Sequence, residues 1–357
     1  WIKRVGLLQI WNLLKPMNIN YLAQDAYLFP EPVFESITRQ LDTYGLPWNS
    51  KELKNAVISL SDHFNQNTTK TTLWDDKKYQ AAYLAYFFPL NLMRILSLEN
   101  ELKSIIQENS DIVDFGSGPG TFSIASHLLK LAFKNLTCVE VNNLAIKLHQ
   151  SLLNDLNINQ PIQWENQLTA NNKKKTGIFT YSLNELKQTP PWLFDFETLI
   201  ILEPSTQYYG RRLQELREQL IENKYEILAP CTHQLPCALL HESKKDWCHQ
   251  RIHIQMPKPW LDFEEKLPMT NRSLTFSYLI ASKVHRNKNA GLGRVIGDTQ
   301  KEKGKTKQAV CRSNEREFLS WLKKYKNAQR IARGSLVELD SGIEKKSNEL
   351  RVSLNVI

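Results

Sequence analysis

The sequence predicts an α/β fold with a doubly wound parallel sheet, a helical region before it, and a Cys-rich insertion and a small basic β region after it. Three observations predict this arrangement. From Asp111 onward, short apolar runs alternate with helical stretches. A glycine-rich turn follows the first run, and apolar residues upstream recur at helical spacing. Alternation of this kind is typical of a parallel sheet with helices on both faces.

Residues 1–108 are predicted to be helical. Apolar residues recur at helical spacing in 34–41 and 53–60, and prolines such as Pro47 and Pro89 mark helix starts or breaks. The stretch from Leu90 to Ile106 is expected to form one amphipathic helix.

Residues 109–228 are predicted to form the sheet domain. Its candidate strands are Ile112–Phe115, Thr137–Val141, Ile162–Glu165, Gly177–Tyr181, Leu199–Leu202 and Tyr225–Leu228. Helices are expected at Leu144–Leu156 and Tyr209–Asn223. Residues 229–283 follow as a Cys-rich insertion with a late strand at Thr275–Ala281. Residues 284–357 form a basic region with strands near Gln308–Cys311 and Leu336–Leu339.

Composition excludes some classes of protein. Hydrophobic residues make up 41% of the 357 positions, and no apolar run approaches the roughly 20 residues of a membrane-spanning helix, so no membrane association is expected. The net charge of +9 favours a polyanionic partner, although solubility alone would also explain it. The five cysteines occur without a secretory signal, which indicates thiols or metal ligands in a reducing compartment.

The central motif is the segment 111–123, DIVDFGSGPGTFS. Gly116, Gly118 and Gly120 follow an apolar strand and lead into a helix, whose N-terminus attracts anionic groups. The spacing Asp-x-Gly-x-Gly-x-Gly resembles methyltransferase motif I and differs from the pattern of dinucleotide-binding folds. An ordinary strand–turn–helix and NAD binding are the alternatives.

An acid at the end of the next strand supports a nucleoside cofactor. Glu140 follows the last glycine by about 20 residues, where a carboxylate can accept hydrogen bonds from ribose hydroxyls. We therefore expect S-adenosyl-L-methionine (SAM) to bind. The residues expected to contact it are Asp114, Gly116, Ser117, Gly118, Gly120, Glu140 and Ser182.

Substrate is expected beyond the carboxyl ends of the strands, where the runs 182–186 (SLNEL) and 203–206 (EPST) lie. Asn184 and Glu185 are the candidates nearest the transferred methyl group, although Asn184 could instead cap a helix. Neither run matches the Asp/Asn-Pro-Pro-Tyr pattern of amino-group methylation, so the catalytic residues stay unassigned. Cys231 after Pro230 resembles a cytosine-C5 methyltransferase nucleophile, but the second cysteine of that chemistry is missing from the 199–202 strand end.

Three cysteines fall within eighteen residues, Cys231, Cys237 and Cys248, and Cys311 lies further on. Four thiolates could close a zinc or iron–sulfur site, with His233, His241 and His249 as substitute ligands, or they could be scattered free thiols. Cys138 lies mid-strand and is expected to be a core residue.

Several pieces together resemble a known family. They are residues 82–86 (AYLAY) with Pro89, 114–120 (DFGSGPG), 182–186 (SLNEL), 202–206 (LEPST), 229–233 (APCTH), 246–249 (DWCH), 276–279 (FSYL) and 333–336 (RGSL). The chain resembles the methyltransferase-like family of small-ribosomal-subunit assembly factors, which includes mitochondrial methyltransferase-like protein seventeen, its yeast counterpart and bacterial relatives. Thr232 departs from the pattern, because proline is usual there.

The resemblance implies an iron–sulfur cluster of the [4Fe–4S] type on Cys231, Cys237, Cys248 and Cys311. It implies SAM binding and association with the small ribosomal subunit or its RNA, either as an RNA methyltransferase or as a non-catalytic assembly factor. A methyltransferase of another substrate with a structural zinc is a further alternative. No DNA partner is expected. A bacterial cytoplasm is the expected location, and the mitochondrial matrix is the alternative that the cationic segment 1–8 also allows.

A basic segment offers an RNA contact. Between Lys283 and Arg312 there are nine Lys or Arg residues, opposed by Asp298 and Glu302, and interspersed glycines suggest a flexible loop. A solvated charged face is the alternative. The residues expected to bind RNA are Lys283, Arg286, Lys301, Lys303, Lys305 and Lys307.

Overall fold

The computed structural model describes residues 26–66, 72–169, 175–269, 271, 273–322, 331–339 and 342–352. The described chain divides into two compact units. The first contains residues 26–201 and 252–274, and the second contains residues 202–251 and those from 275 onward. The cationic segment 1–8 lies outside the described residues.

Helices dominate the start of the first unit. They are α1 (Glu31–Thr43), α2 (Lys51–Gln66), α3 (Lys77–Ala82), α4 (Phe88–Leu96) and α5 (Glu99–Ile105), with a π-helical turn, Tyr83–Phe87, joining α3 to α4. The apolar spacing in α1 buries Val33, Phe34, Ile37 and Leu41 on one face. A helical N-terminal region is therefore confirmed.

The expectation of one helix over 90–106 is wrong. The chain leaves helical geometry between α4 and α5, where the Ser97 hydroxyl donates to the carbonyl of Arg94 at 2.6 Å. A serine that bonds back to its own backbone competes with continuation of the helix.

No single helix within the described residues is long and apolar enough to cross a membrane. One pair, residues 77–96 and 99–105, meets the criterion together by length and composition, with a bend of 63° between its members.

The sheet strands of the first unit follow the helices. They are β2 (Asp111–Phe115), β3 (Asn135–Val139), β4 (Ile162–Glu165), β5 (Thr176–Thr180) and β6 (Thr198–Glu203), with β1 (Tyr27–Leu28) before them. Helices α6 (Thr121–Leu128) and α7 (Asn143–Asp155) connect β2 to β3 and β3 to β4. Strand β2 pairs in parallel with both β3 and β5, and β3 pairs in parallel with β4. The five strands predicted up to residue 202 lie within one or two residues of β2 to β6. The sixth, predicted at Tyr225–Leu228, is found at Glu226–Ala229 in the second unit.

The remaining elements are α8 (Gln207–Glu222), β7 (Glu226–Ala229), α9 (Ala238–His241), β8 (Gln250–Gln255), α10 (Lys258–Glu264) and β9 (Ser273–Ser282). The first sheet has the strand order β1-β8-β9-β6-β5-β2-β3-β4, and β7 pairs antiparallel with β9. The order runs from β2 through β3 to β4 in one direction and through β5 to β6 in the other. The sheet is therefore doubly wound, with its switch point between β2 and β5.

A second sheet forms from the end of the chain. Its strands are β10 (Gly293–Val295), β11 (Gln300–Glu302), β12 (Lys305–Cys311), β13 (Glu317–Leu322), β14 (Leu336–Val337), β15 (Glu344–Lys346) and β16 (Glu349–Arg351). Val295, Val310, Leu319 and Leu350 are among the buried residues of its core.

The expectation of a flexible glycine-containing loop in the basic segment is wrong over residues 293–311. Three strands occupy most of this stretch, and β12 pairs with β13 along six residues. Two of the glycines are needed because a neighbouring strand leaves no space for a side chain. A Cβ on Gly293 would meet Val310 at 2.8 Å, and one on Gly297 would meet Ala309 at 2.9 Å.

Candidate functional site

The glycine turn lies at the switch point of the sheet, directly after β2. Gly116, Gly118 and Gly120 all have positive φ, at 66°, 51° and 77°. The amides of Gly116 and Ser117 both donate to the Val139 carbonyl, at 2.9 and 3.2 Å. The turn is thereby tied to the end of β3, and its backbone borders the crevice where doubly wound sheets bind ligands.

Two of the glycines have no room for a side chain. A Cβ on Gly116 would lie 2.8 Å from the Ser182 Cβ, and one on Gly120 would lie 2.1 Å from the His149 ring. Ser182 follows β5, so the loops on either side of the switch point touch each other at this position.

Glu140 directly follows β3, and its side chain contacts the glycine turn. Its carboxylate accepts from the amides of Gly118 and Asn142, both at 2.9 Å. Each carboxylate oxygen keeps a further lone pair for a hydroxyl donor. The next residue, Val141, has 77% of its surface exposed although it is apolar.

Asp114, the last but one residue of β2, is fully buried. Neither of its carboxylate oxygens has a hydrogen-bond partner among the described residues. Burial, and next the nearby charge of Glu140, raise the pKa of Asp114 to about 8. A hydrogen-bond donor or a cation that binds beside such a buried acid stabilises its ionised form.

His149 supports the loop from α7. Trp164 donates its indole N–H to Nδ1 at 3.2 Å, and Nε2 lies 2.9 Å from the Ser123 hydroxyl. Burial lowers the pKa of His149 to about 4, so the ring stays neutral at physiological pH. A neutral ring with one acceptor and one donor nitrogen satisfies both contacts.

The turn after β5 carries the candidate reacting groups. Tyr181 has a φ of 58°, an uncommon conformation for a bulky residue, and Leu183–Glu185 form a 3₁₀ turn. Asn184 therefore lies inside a turn and does not cap a following helix. Burial, and next the charge of Glu140, raise the pKa of Glu185 to about 7.

The other candidate substrate run, 203–206, has structural roles. The Ser205 hydroxyl lies 2.6 Å from the Thr275 hydroxyl, and the Thr206 hydroxyl accepts the amide of Tyr209 at the start of α8.

Four residues of the N-terminal region, Trp74 in the turn before α3 and Tyr83, Asn91 and Arg94 in the helices, lie at or next to the first site, and none was predicted as a site residue. Trp74 would lie 3.6 Å from a Cβ on Gly118, and its ring packs on Tyr83 at 4.9 Å. Arg94 donates to Asn91 at 2.6 Å and lies 5.6 Å from the Tyr181 ring centre. The only sequence signal near them was the run 82–86 before Pro89.

A second site lies wholly within the second unit, where Cys231, Cys237, Cys248 and Cys311 line one pocket. Cys231 follows β7, Cys237 precedes α9, Cys248 precedes β8, and Cys311 ends β12. The pocket is partly open to solvent, and its cavity volume is about 40 Å³. The structure thus brings together all four predicted ligands, although 80 positions separate the first from the last.

Three of these sulfurs have a nitrogen donor beside them. Gln214 Nε2 lies 3.2 Å from Cys237 Sγ, Arg217 Nε lies 3.3 Å from Cys231 Sγ, and His233 Nε2 lies 3.3 Å from Cys311 Sγ. Thr232, which departs from the family pattern, donates to the Cys311 carbonyl at 3.3 Å. Its side chain therefore contacts the backbone of a candidate ligand.

The surroundings of the thiols change their pKa values. Burial raises the pKa of Cys248 to about 12, and it raises the pKa of Cys231 against the opposing effect of Arg217. All five cysteines are free thiols, and Cys138 is buried in β3, in the core as expected.

The histidines near the pocket are not arranged as ligands of one ion. Within the described ranges, no three His, Cys, Asp or Glu side chains surround a single metal position. His249 Nδ1 lies 3.3 Å from the Trp247 carbonyl, and His241 is exposed. Tetrahedral zinc needs ligand atoms about 2.0–2.3 Å from one centre.

The predicted RNA-binding residues fall into two groups. Lys283, Lys301 and Lys303 are exposed, and exposed Arg286 pairs with Glu226 at 3.3 Å. Lys305 forms ion pairs with Glu302 and Glu349, and Lys307 forms one with Glu302. Less than 30% of each lysine side chain is exposed. The second group is therefore engaged within the sheet.

The strand order and the loops at its switch point define an α/β class I SAM methyltransferase-like Rossmann fold, with N-terminal helices and a second, C-terminal sheet. The family model described as mitochondrial small ribosomal subunit Rsm22 matches residues 77–335. The chain belongs to this Rsm22 family, which confirms the resemblance found in the sequence. No curated protein matches the chain.

Solved structures match at low similarity. A proposed RNA methyltransferase from Pyrococcus horikoshii is 15% identical, with 65% of this chain and 100% of that chain covered and a TM-score of 0.35. The TrmK protein of M. capricolum, in complex with S-adenosyl-homocysteine, is 11% identical, with 53% and 69% covered and a TM-score of 0.31. An rRNA methylase from Streptococcus thermophilus is 14% identical, with 53% and 95% covered and a TM-score of 0.28. At these scores the matches carry no conclusion about function.

Proposed function

We propose that this chain binds SAM and acts on or with the RNA of the small ribosomal subunit, carrying a [4Fe–4S] cluster. The observation that carries the proposal is the convergence of the predicted cofactor residues at one switch point. Asp114, the 116–120 turn, Glu140 and Ser182 come from the ends of β2, β3 and β5. Family membership adds the small ribosomal subunit as the partner.

The residues of the first site fit SAM chemically. Glu140 offers free lone pairs to the two ribose hydroxyls, and exposed Val141 offers an apolar surface to the adenine. The buried, unpartnered carboxylate of Asp114 suits the positive methionine ammonium. When bound, SAM would supply an electrophilic methyl group.

Glu185 is the residue best suited to proton transfer in such a reaction. Its pKa near 7 would let it accept a proton from a nucleophile at physiological pH. Asn184 in the same turn would orient the substrate through its amide. Both roles are proposals for methyl transfer to RNA.

A non-catalytic assembly factor is the second candidate, because the family description names a subunit protein rather than an enzyme. Tritium transfer from labelled SAM into small-subunit RNA separates the two. The catalytic proposal expects label in the RNA and at least a hundredfold lower rate in Glu185→Gln. Absence of label from RNA that the protein demonstrably binds would leave the assembly role.

The cluster is proposed from the thiol pocket. Four thiolates are the usual ligand set of [4Fe–4S], and when bound the cluster would supply a compact anionic core that ties four separate segments together. Anaerobic purification with iron and sulfide analysis tests it. We expect about four iron and four sulfide per chain, a loss of most of both in Cys311→Ser, and no loss in the matched control Cys138→Ala. Stoichiometric zinc without sulfide would support the zinc alternative instead.

The family description also bears on location. It refers to mitochondria, which supports the mitochondrial matrix over a bacterial cytoplasm as the compartment in which this chain works.

A further inference from the structure

The thiol pocket contains nitrogen donors that a neutral thiol does not need. A thiol sulfur is a weak acceptor, whereas a thiolate carries a full negative charge. The three donors, on Gln214, Arg217 and His233, each approach a different sulfur within 3.2–3.3 Å. Their distribution, one donor to one sulfur, matches a set of separate anionic ligands.

The Arg217 side chain is held in place from three directions. Its NH2 group donates to the carbonyls of His233 and Leu235, at 3.0 and 2.7 Å, and NH1 pairs with Glu218 at 2.9 Å. These bonds fix the direction in which Nε points. A guanidinium that is only 2% exposed is costly unless anions surround it, and the Cys231 thiolate would be the second anion beside Glu218.

Glu218 links this arginine to a second cysteine. The same carboxylate oxygen that pairs with Arg217 accepts the backbone amide of Cys237 at 2.9 Å. Gln214 lies one helical turn before Glu218 on α8, is 5% exposed, and directs its side-chain amide at the Cys237 sulfur. One buried face of α8 therefore positions two of the four cysteines.

We infer that Gln214, Arg217 and His233 are positioning residues for the cluster, each directing one N–H at a different ligand sulfur and together raising its reduction potential. The inference rests on the proposed [4Fe–4S] cluster and deepens it. The His233 contact requires the tautomer that is protonated at Nε2. Hydrogen bonds to the sulfurs stabilise negative charge, and the reduced cluster carries one more negative charge than the oxidised one. Removing a donor should therefore favour the oxidised form.

The test is a dithionite titration of the anaerobically purified full-length protein, followed by visible absorption and electron paramagnetic resonance. Gln214→Leu and His233→Leu remove an N–H donor, and His233→Gln keeps one. Gln219→Leu makes the same change on the exposed face of α8 and is the matched control. Iron and sulfide are measured in every sample.

We expect each Leu variant to shift the one-electron reduction equilibrium about tenfold toward the oxidised cluster, which corresponds to 59 mV. His233→Gln and Gln219→Leu should titrate like the unaltered protein. If the Leu variants lose the cluster while His233→Gln retains it, the donors are needed to hold it, which also supports the inference.

Two results would overturn it. One is a full cluster in both Leu variants with an unchanged potential. The other is equal loss of iron in His233→Leu and His233→Gln, which would show a steric role for the ring. Failure of the proposed function itself looks different, because the unaltered protein would then contain no iron or sulfide.

Discussion

At the scale of single residues, both sites depend on side chains that fix the backbone around them. Glu140 binds two backbone amides, and Arg217 binds two carbonyls and a carboxylate. His149 fills the space that a side chain at Gly120 would need. In each case, a change of one residue alters the shape of a loop as well as one contact.

Gly120→Ala tests the close approach of the loop to His149. An L-residue at a φ of 77° costs about 1–2 kcal/mol. The new Cβ would lie 2.1 Å from the His149 ring, so either the loop or the ring must move. We expect at least tenfold weaker SAM binding by calorimetry, with a lower Tm. The matched control is Gly45→Ala, which has a φ of 70° but nothing within 4 Å, so it carries the backbone cost alone. Equal effects of the two variants would argue against the role of His149.

His149→Gln tests the buried neutral imidazole. The pKa of this histidine is about 4 in the folded protein and about 6.5 when unfolded, so the unfolded chain binds an extra proton between these values. Stability should therefore fall by about 1.4 kcal/mol per pH unit as the pH drops from 6.5 to 4. Urea unfolding across this range should show a shallower pH dependence in His149→Gln and an unchanged one in the exposed control His253→Gln. A slope that stays the same in His149→Gln would contradict the assignment.

At the scale of elements, the sequence located the parallel strands well because each is a short apolar run. The structure places β2, β4 and β6 within one residue of the predicted ends. In the structure Glu140 lies just beyond β3 rather than inside it, and its carboxylate still accepts the amide of Gly118 in the glycine turn. Buried parallel strands are recognisable because both of their faces are apolar.

Much of the second sheet was not recognisable in this way. Strands β11 and β15 consist of charged and polar residues that are largely exposed, so no apolar alternation marks them. The contacts of Trp74, Tyr83 and Arg94 with the first site were also missed. They arise from tertiary packing between helices and loops that are distant in sequence, which periodicity does not report.

The basic segment contains exposed lysines and lysines that pair with carboxylates of the second sheet. Lys301→Glu with Lys303→Glu should weaken binding to small-subunit RNA and flatten its salt dependence by roughly two units of slope, because both side chains are exposed. Lys305→Glu with Lys307→Glu should instead lower the Tm, because both lysines pair with carboxylates inside the second sheet. Filter binding at several salt concentrations and thermal unfolding measure the two effects. RNA affinity that is unaltered in the first pair would remove this surface from the interface.

At the scale of the whole molecule, each described unit contains one candidate cofactor site. The first unit carries the residues proposed to bind SAM, and the second carries the four cysteines. The Rsm22 family model extends over parts of both, from residue 77 to residue 335. The two sites can therefore be tested separately in the full chain, with substitutions that lie within a single unit.

The most direct test of the account is calorimetric titration of the full-length protein with SAM. We expect one molecule bound per chain, and binding at least tenfold weaker in Val141→Lys, because the exposed Val141 surface is where the adenine is proposed to lie. Val284→Lys, at another exposed valine that lies in the second unit, should bind like the unaltered protein. A folded protein that takes up neither SAM nor S-adenosyl-homocysteine, or that binds equally well with Val141→Lys, would contradict the proposed cofactor site.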